Sequence, residues 1–393
     1  MTAAMRRHDA MLALAAEMAD DPPQQPELVV TNLANTATEW HAARPSDANL
    51  YAVGMGMVTP YALGIALARP ERRVLALDGD GGILFDASVL GLLAGSAAQN
   101  LCVLVFDNGG YISTGRLPTV ASLSGAGVDI AALARAFGLA AASTVHDTAS
   151  LAAAYRAARS SPGPHLIVAK VGVEQAFVGP LPLDLKENKY RFVRHIEQSA
   201  GIRILKPSAK EHGARPAADP HATPTSERTP FGRALYDAIR DNGLDFVVGL
   251  PCSGFTATQE LLMADQAIRY LPVANEGTGL AVCAGAWLGG KRPAALIENF
   301  GLFASAYQLL RGHLSYGIPT LLLTEYRGDT GDQEFFAETG ELTPQFLAGM
   351  RLNHRVVDQV GDLSAAVRDA QRWMNACLRP FALLPTFDLT RLR

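Results

Sequence analysis

The stretch Arg73-Val74-Leu75-Ala76-Leu77-Asp78-Gly79-Asp80-Gly81-Gly82 is an apolar run that ends in two carboxylates set among glycines. A second stretch, Leu101-Cys102-Val103-Leu104-Val105-Phe106-Asp107-Asn108-Gly109-Gly110-Tyr111, follows the same plan. One helix's worth of chain separates them. Short apolar runs spaced in this way predict neighbouring, buried strands of a parallel sheet. Open sheets of that kind bind ligands beyond the carboxyl ends of their strands. Asp80 and Asn108 are hard oxygen donors of the type magnesium takes, together with phosphates and water. Gly79, Gly81 and Gly82 let backbone N–H groups approach phosphate oxygens with no Cβ in the way. A bare carboxylate would repel a diphosphate, so the metal belongs between the two. A metal–diphosphate site is therefore expected here.

Gly54-Met55-Gly56-Met57-Val58-Thr59-Pro60 follows an expected strand at Leu50–Val53 and offers a second diphosphate contact. Thr59 is expected as the N-cap and Pro60 as the first helical residue. The helix would turn its positive end and free N–H groups to an anion. Gly54-x-Gly56 is not a dinucleotide fingerprint, because Thr59 stands where the third glycine is required. Asp78-Gly-Asp80-Gly is not a calcium loop either, since no glycine-then-glutamate pattern follows. A Gly-Asp-Gly turn alone is common as plain structure. The second strand ending in Asp-Asn-x-Gly-Tyr makes coincidence a poor explanation.

At 393 residues the chain is long for one core, and two domains are expected. Its 49% hydrophobic and 18% charged composition is that of a packed globular protein. A net charge of −4 gives no footprint for nucleic acid. Cys102, Cys252, Cys283 and Cys377 are scattered, with no CxxC spacing, and are expected as buried reduced thiols of a cytoplasmic protein. Arg6 and Arg7 precede an apolar stretch, but Glu17, Asp20 and Asp21 interrupt it, so an amphipathic first helix is expected and not a signal peptide. No run is long and apolar enough to span a membrane.

Strands are expected at Leu28–Thr31, Leu50–Val53, Arg73–Asp78, Leu101–Phe106 and His165–Val171. In the second half they are expected at Asp245–Leu250, Ala267–Val273, Ala294–Glu298 and Thr320–Thr324. Helices are expected there at Phe231–Asn242, Gly277–Leu288, Ala304–Tyr316 and Leu363–Cys377. This alternation predicts an α/β protein with two doubly wound parallel-sheet domains. The boundaries are 1–204 for the diphosphate-binding domain, 205–229 for a proline-rich mobile linker, and 230–393 for the second domain.

Gly79-Asp80-Gly81 followed by Asp107-Asn108 resembles the thiamine diphosphate signature, Gly-Asp-Gly and then a distant Asn-Asn. The resemblance implies that Asp80, Asn108 and the Gly110 carbonyl hold magnesium. It also implies that Gly54, Met55, Gly56, Met57, Gly79, Gly81, Gly82 and Tyr111 line the cofactor. Asp107 stands where the family has its first Asn, which is not the usual ligand. Thiamine chemistry needs a carboxylic acid against N1′ of the aminopyrimidine, held in an apolar setting. Ala274-Asn275-Glu276-Gly277 fits, with Glu276 opening an apolar helix. Alone, Glu276 would read as a helix-start acid favoured by the macrodipole; beside the first motif it reads as the catalytic acid.

Leu250-Pro251-Cys252, Ala274–Gly277, Ala284-Gly285-Ala286-Trp287-Leu288, Gly290-Lys291-Arg292-Pro293 and Arg327-Gly328 resemble the pyrimidine domain of sulfopyruvate and phosphonopyruvate decarboxylases. Ser113-Thr114-Gly115-x-x-Pro118-Thr119 resembles their diphosphate domain. Two departures stand out. The diphosphate domain comes first here, as if two subunits were fused in reversed order. Where relatives carry Gln-Asn-Ser-Gly-Leu-Gly-Asn, this chain has Glu298-Asn299-Phe300-Gly301-Leu302-Phe303-Ala304.

The resemblance implies non-oxidative decarboxylation of a small anionic 2-oxo acid, of the 3-sulfopyruvate or 3-phosphonopyruvate type, to an aldehyde. The alternative is a carboligase acting on a more apolar 2-oxo acid, which Phe300 and Phe303 would suit. Intact Asp80, Asn108 and Glu276 argue against a protein that keeps the fold for assembly alone. An anionic tail would need cations, and Arg327 is the best placed; Arg116, His41, Arg311 and His313 are weaker candidates. Ser253 and Asn299 would add hydrogen bonds. Cys252 has no activating base in view and is expected to pack. The resemblance further implies a homodimer or homotetramer, and the charge balance and lack of a long apolar run lead to no expected nucleic-acid or membrane partner.

Overall fold

The computed structural model describes residues 5–112, 117–123, 127–205, 230–328 and 332–391. It divides into two compact units, Met1–Ile202 and Arg203–Arg393. The first boundary lies two residues before the one expected from sequence. Positions 206–229 of the expected linker lie outside the described residues.

The main sheet of the first unit holds six strands: β1 Leu28–Asn32, β2 Asn49–Val53, β3 Val74–Gly79, β4 Leu101–Asp107, β5 Ala142–Val145 and β6 His165–Lys170. All pair in parallel, in the order β2-β1-β3-β4-β6-β5. The second unit holds β7 Phe246–Gly249, β8 Arg269–Pro272, β9 Pro293–Glu298, β10 Leu321–Glu325, β11 Asn353–Val357 and β12 Phe381–Pro385. Their order is β8-β7-β9-β10-β12-β11. Element for element, the two orders are the same. In each sheet the direction of winding reverses beside the first strand, between it and the third, and that is where open α/β sheets leave a crevice.

The central strands are apolar because both their faces are covered. Every residue of β4 is buried, as are five of the six in β3. In each unit the helix between the second and third strands is apolar on all sides. Val58–Ala68 is buried throughout, and Glu276–Leu288 is buried from Gly277 onward. Edge strand β2 is closed by the helix Leu185–Ala200. Asn188 accepts from the Tyr51 N–H at 2.7 Å and donates to the Asn49 carbonyl at 3.0 Å, doing what a seventh strand would do. Asp184 caps this helix at Lys186 and Glu187, and Gly201 ends it in a left-handed conformation, φ 65°.

Three local expectations are corrected. The helix after β2 starts at Val58, and Thr59 does not cap it; the Thr59 hydroxyl donates to Asp78 Oδ2 at 2.8 Å instead. The helix expected at Ala304–Tyr316 is a short α-helix, Asn299–Ala304, followed by a wide π-helical turn, Gln308–Leu314. In that turn the Ser315 N–H reaches back to the Leu310 carbonyl at 3.0 Å, and His313 is wedged between the carbonyls of Ile318 and Leu280 at 3.1 Å each. All four cysteines are free as expected, but Cys377 is exposed and Cys252 only half-buried. The first helix, Arg7–Glu17, forms as expected, and no helix among the described residues is long and apolar enough to cross a membrane.

Candidate active site

In the first sheet Gly79 pairs with Phe106, so Asp80 and Asp107 leave β3 and β4 side by side. Their environments separate them. Asp107 forms an ion pair with Lys170, its cross-strand partner on β6, and accepts from the Gly109 N–H at 3.3 Å. Asp80 is buried, and the Thr119 hydroxyl donates to its Oδ2 at 2.6 Å. Burial pushes the Asp80 carboxyl up, with Asp107 adding to the effect and Thr119 opposing it. Of the two, Asp80 is therefore the carboxylate short of positive charge. Asn108 accepts from the Gly110 N–H at 3.1 Å, which uses one of two lone pairs on its amide oxygen. Gly109, at φ 68°, turns the chain between them.

Asp78, which sequence marked only as a strand end, is a structural lock. It accepts from Thr59 Oγ1 at 2.8 Å, Asn32 Nδ2 at 3.1 Å and the Gly79 N–H at 2.9 Å. These bonds tie together β1, β3 and the start of the helix Val58–Ala68. A Cβ at Gly82 would collide with the Asp78 carboxylate, and one at Gly81 would stand 2.5 Å from Tyr111 Cε1. Upstream, the Met57 N–H closes a turn onto the Gly54 carbonyl at 3.1 Å, with Gly56 at φ 77°. Hard oxygen donors at two adjacent strand ends, beside glycines that admit no side chain, fit magnesium and a diphosphate.

In the second unit Asn275 caps the helix Glu276–Leu288 by accepting from the Thr278 N–H at 3.0 Å. That fixes Glu276 as the first helical residue, half-buried at the carboxyl end of the sheet. Its side chain lies over Gly301, where a Cβ would stand 2.5 Å from Glu276 Cδ. Gly277 is covered by Gln308, whose buried Oε1 has no hydrogen-bond partner. A buried acceptor without a donor, over the residue that follows Glu276, suits a ligand that carries N–H groups.

Glu298 and Glu325 are register partners at the ends of β9 and β10. Glu325 is buried and accepts from the Gly254 N–H at 3.1 Å. Burial pushes the Glu298 carboxyl up, Glu325 adds to this, and Arg327 pulls it down. Burial also pushes the Cys252 thiol up, with Glu325 contributing, which fits packing and not nucleophilic attack. Arg327 is not open to an anion. It makes two bonds to Asp332, Nε to Oδ2 at 2.8 Å and the second at 3.0 Å, and lies 3.7 Å from Glu298. Asn299 is buried and donates to the Arg327 carbonyl at 2.8 Å and to Thr343 at 3.0 Å. Ser253 is exposed at the turn after β7. His41 sits in the last turn of the helix Asn35–Ala43, edge-on to Tyr51, and is not brought to the strand ends. Arg116 lies outside the described residues. Sequence did not single out Lys170, Glu325 or Asp332, and it read Thr59 only as a helix cap; their roles come from contacts the fold creates.

A family profile described as "Thiamine pyrophosphate enzyme, C-terminal TPP binding domain" matches residues 31–169. The "Sulfopyruvate decarboxylase subunit beta" of Methanothermobacter thermautotrophicus is 32% identical over 171 residues, 43% of this chain and 87% of that protein. The chain belongs to the sulfopyruvate decarboxylase family of thiamine pyrophosphate enzymes. The "Sulfopyruvate decarboxylase subunit alpha" of Methanococcus maripaludis is 40% identical over 96 residues, 24% of this chain. The chain spans 58% of that subunit's length. A transketolase from Leishmania mexicana has a similar fold, with a TM-score of 0.62 at 13% identity, over 96% of this chain and 76% of that one.

Proposed function

We propose that this chain catalyses magnesium- and thiamine diphosphate-dependent, non-oxidative decarboxylation of a 2-oxo acid. A 2-oxo carboxylate and one proton give an aldehyde and carbon dioxide. The observation that carries this is Glu276 held over Gly301 in the second unit of a chain whose first unit presents Asp80 and Asn108 at adjacent strand ends. The relatives' names support the reaction class.

Asp80, Asn108 and the Gly110 carbonyl would hold magnesium, and Gly79–Gly82 with Gly54–Met57 would receive the diphosphate. Thr119 orients Asp80, and Lys170 neutralises Asp107 so that it does not compete. Glu276 would hold its proton against N1′ of the aminopyrimidine, and Gly301 leaves it room to lie there. Thiamine diphosphate, when bound, supplies the electron sink that accepts the pair released as carbon dioxide leaves. On this reading the first unit serves as the diphosphate domain and the second as the pyrimidine domain, and a homodimer or homotetramer is the proposed functional form, supported by relatives named as alpha and beta subunits.

The test is to load the full chain with both cofactors and measure carbon dioxide and free aldehyde from a panel of 2-oxo acids. Equal amounts of the two support decarboxylation. Carbon dioxide without free aldehyde, and with a coupled product, would instead make the chain a carboligase.

A further inference from the structure

The carboxyl end of the second sheet is crowded with carboxyl groups. Glu276, Glu298, Glu325 and Asp332 gather there, and the guanidinium among them, Arg327, is already spent. Asp332 takes it with two bonds, and the Phe336 ring covers its flat face, 3.6 Å from the guanidinium carbon. Beside this cluster lies bare aromatic surface. Phe300 adjoins Gly301, on which Glu276 rests, and is 41% exposed. Its ring lies 5.7 Å from that of Phe336 and 6.2 Å from that of Phe335, which is 78% exposed. Contiguous exposed apolar surface is one mark of a ligand-binding groove, and such grooves are lined by aromatic side chains.

We infer that the 2-oxo acid handled here carries an uncharged, apolar side group seated on Phe300, Phe335 and Phe336, in preference to a sulfonate or phosphonate. This rests on the decarboxylase reading. A second anionic group would meet Glu298 and Glu325 beside an Arg327 that Asp332 already engages, and like-charge juxtaposition selects against a ligand. An apolar group instead covers ring surface that water otherwise wets. Glu298 sharpens the discrimination, because it lies 3.7 Å from Arg327 and adds a second carboxylate beside that guanidinium.

The experiment uses the full chain with magnesium and thiamine diphosphate. It compares kcat/KM for 3-phenylpyruvate and 2-oxo-4-methylpentanoate with that for 3-sulfopyruvate and 3-phosphonopyruvate. It also compares the affinities of two unreactive probes, 3-phenylpropanoate and 3-sulfopropanoate. The apolar acids should lead by about tenfold or more, the scale on which pockets discriminate side groups. Phe300→Ala should erase most of that lead, and Glu298→Gln should narrow it by improving the anionic acids. Equal or better use of 3-sulfopyruvate would overturn the inference, as would equal or no affinity for the two probes. If no acid is decarboxylated yet the phenyl probe binds about tenfold tighter, the decarboxylase reading fails and the preference for an apolar group stands.

Discussion

Glu276 lies directly on Gly301, so close that a Cβ built at the glycine would stand 2.5 Å from both Cγ and Cδ of the glutamate. The helix Asn299–Ala304 therefore acts as the floor on which the acid rests. Gly301→Ala tests this contact. Alanine favours a helix over glycine by about 1 kcal/mol, so stability should hold or rise slightly. The displaced carboxyl should lose reach, and kcat should fall about a hundredfold, as for a misplaced catalytic group. Turnover and thermal melting of the variant check the two halves separately.

Thr119 and Asp80 form the corresponding pair in the first unit, joined at 2.6 Å. Thr119→Val removes the hydroxyl and leaves the fold otherwise filled. Magnesium affinity should drop about 10- to 100-fold, the usual effect of losing a group that orients a ligand. Thr119→Ser should restore most of it. Magnesium titration followed by cofactor binding reads both variants.

Arg7 and Glu39 make a buried bidentate pair, at 2.9 and 2.8 Å, that ties the first helix to Asn35–Ala43. Arg7→Met should destabilise the chain by about 3–5 kcal/mol, because it strands a buried carboxylate. Changing both residues to Met should recover most of that loss. Denaturant unfolding of the single and double variants provides the comparison.

His313 is fully buried, and burial pushes its imidazole down to about 4, with the Ile318 and Leu280 carbonyls pulling the other way. The folded ring is neutral, whereas an unfolded chain takes up the proton below about pH 6.5. Stability from this residue is therefore complete above that pH and is lost as pH falls toward 4, amounting to about 3 kcal/mol. Unfolding of the wild type and His313→Gln from pH 7 to 4 should show the slope in the first and its loss in the second.

Much of this fold can be read along the chain. β3 and β4 announce themselves because strands buried on both faces must be apolar from end to end. Edge strands β5 and β11 do not, since β5 is short and mixes Ser143 and Thr144 with its apolar residues, and β11 is polar and largely exposed over Asn353–Arg355. β12 ends in Pro385 and follows Pro380, which masks it as a turn. The helix Leu185–Ala200 hides behind its charges, although Phe192, Val193 and Ile196 mark its buried face.

At the site, residue types were legible and partners were not. Asp80, Asn108 and Glu276 stand out by chemistry at strand and helix ends. Lys170 lies 63 residues from Asp107 and only the sheet register brings them together, while Thr119 lies 39 from Asp80 and is held there by its N–H bond to the Gly109 carbonyl. Arg327 invites an anion when read alone. Asp332, five residues on, cancels that invitation, and the spacing was present in the sequence to be weighed.

The most direct measurement compares the wild type with Glu276→Gln, both loaded with magnesium and thiamine diphosphate, on the best 2-oxo acid of the panel. Cofactor affinity should be nearly unchanged, while the rate of carbon dioxide release should fall about 10²- to 10⁴-fold, the range for removing a group that manages a proton. Equal rates in the two proteins, or carbon dioxide release that needs no thiamine diphosphate, would contradict the role assigned to Glu276 and the reaction built on it.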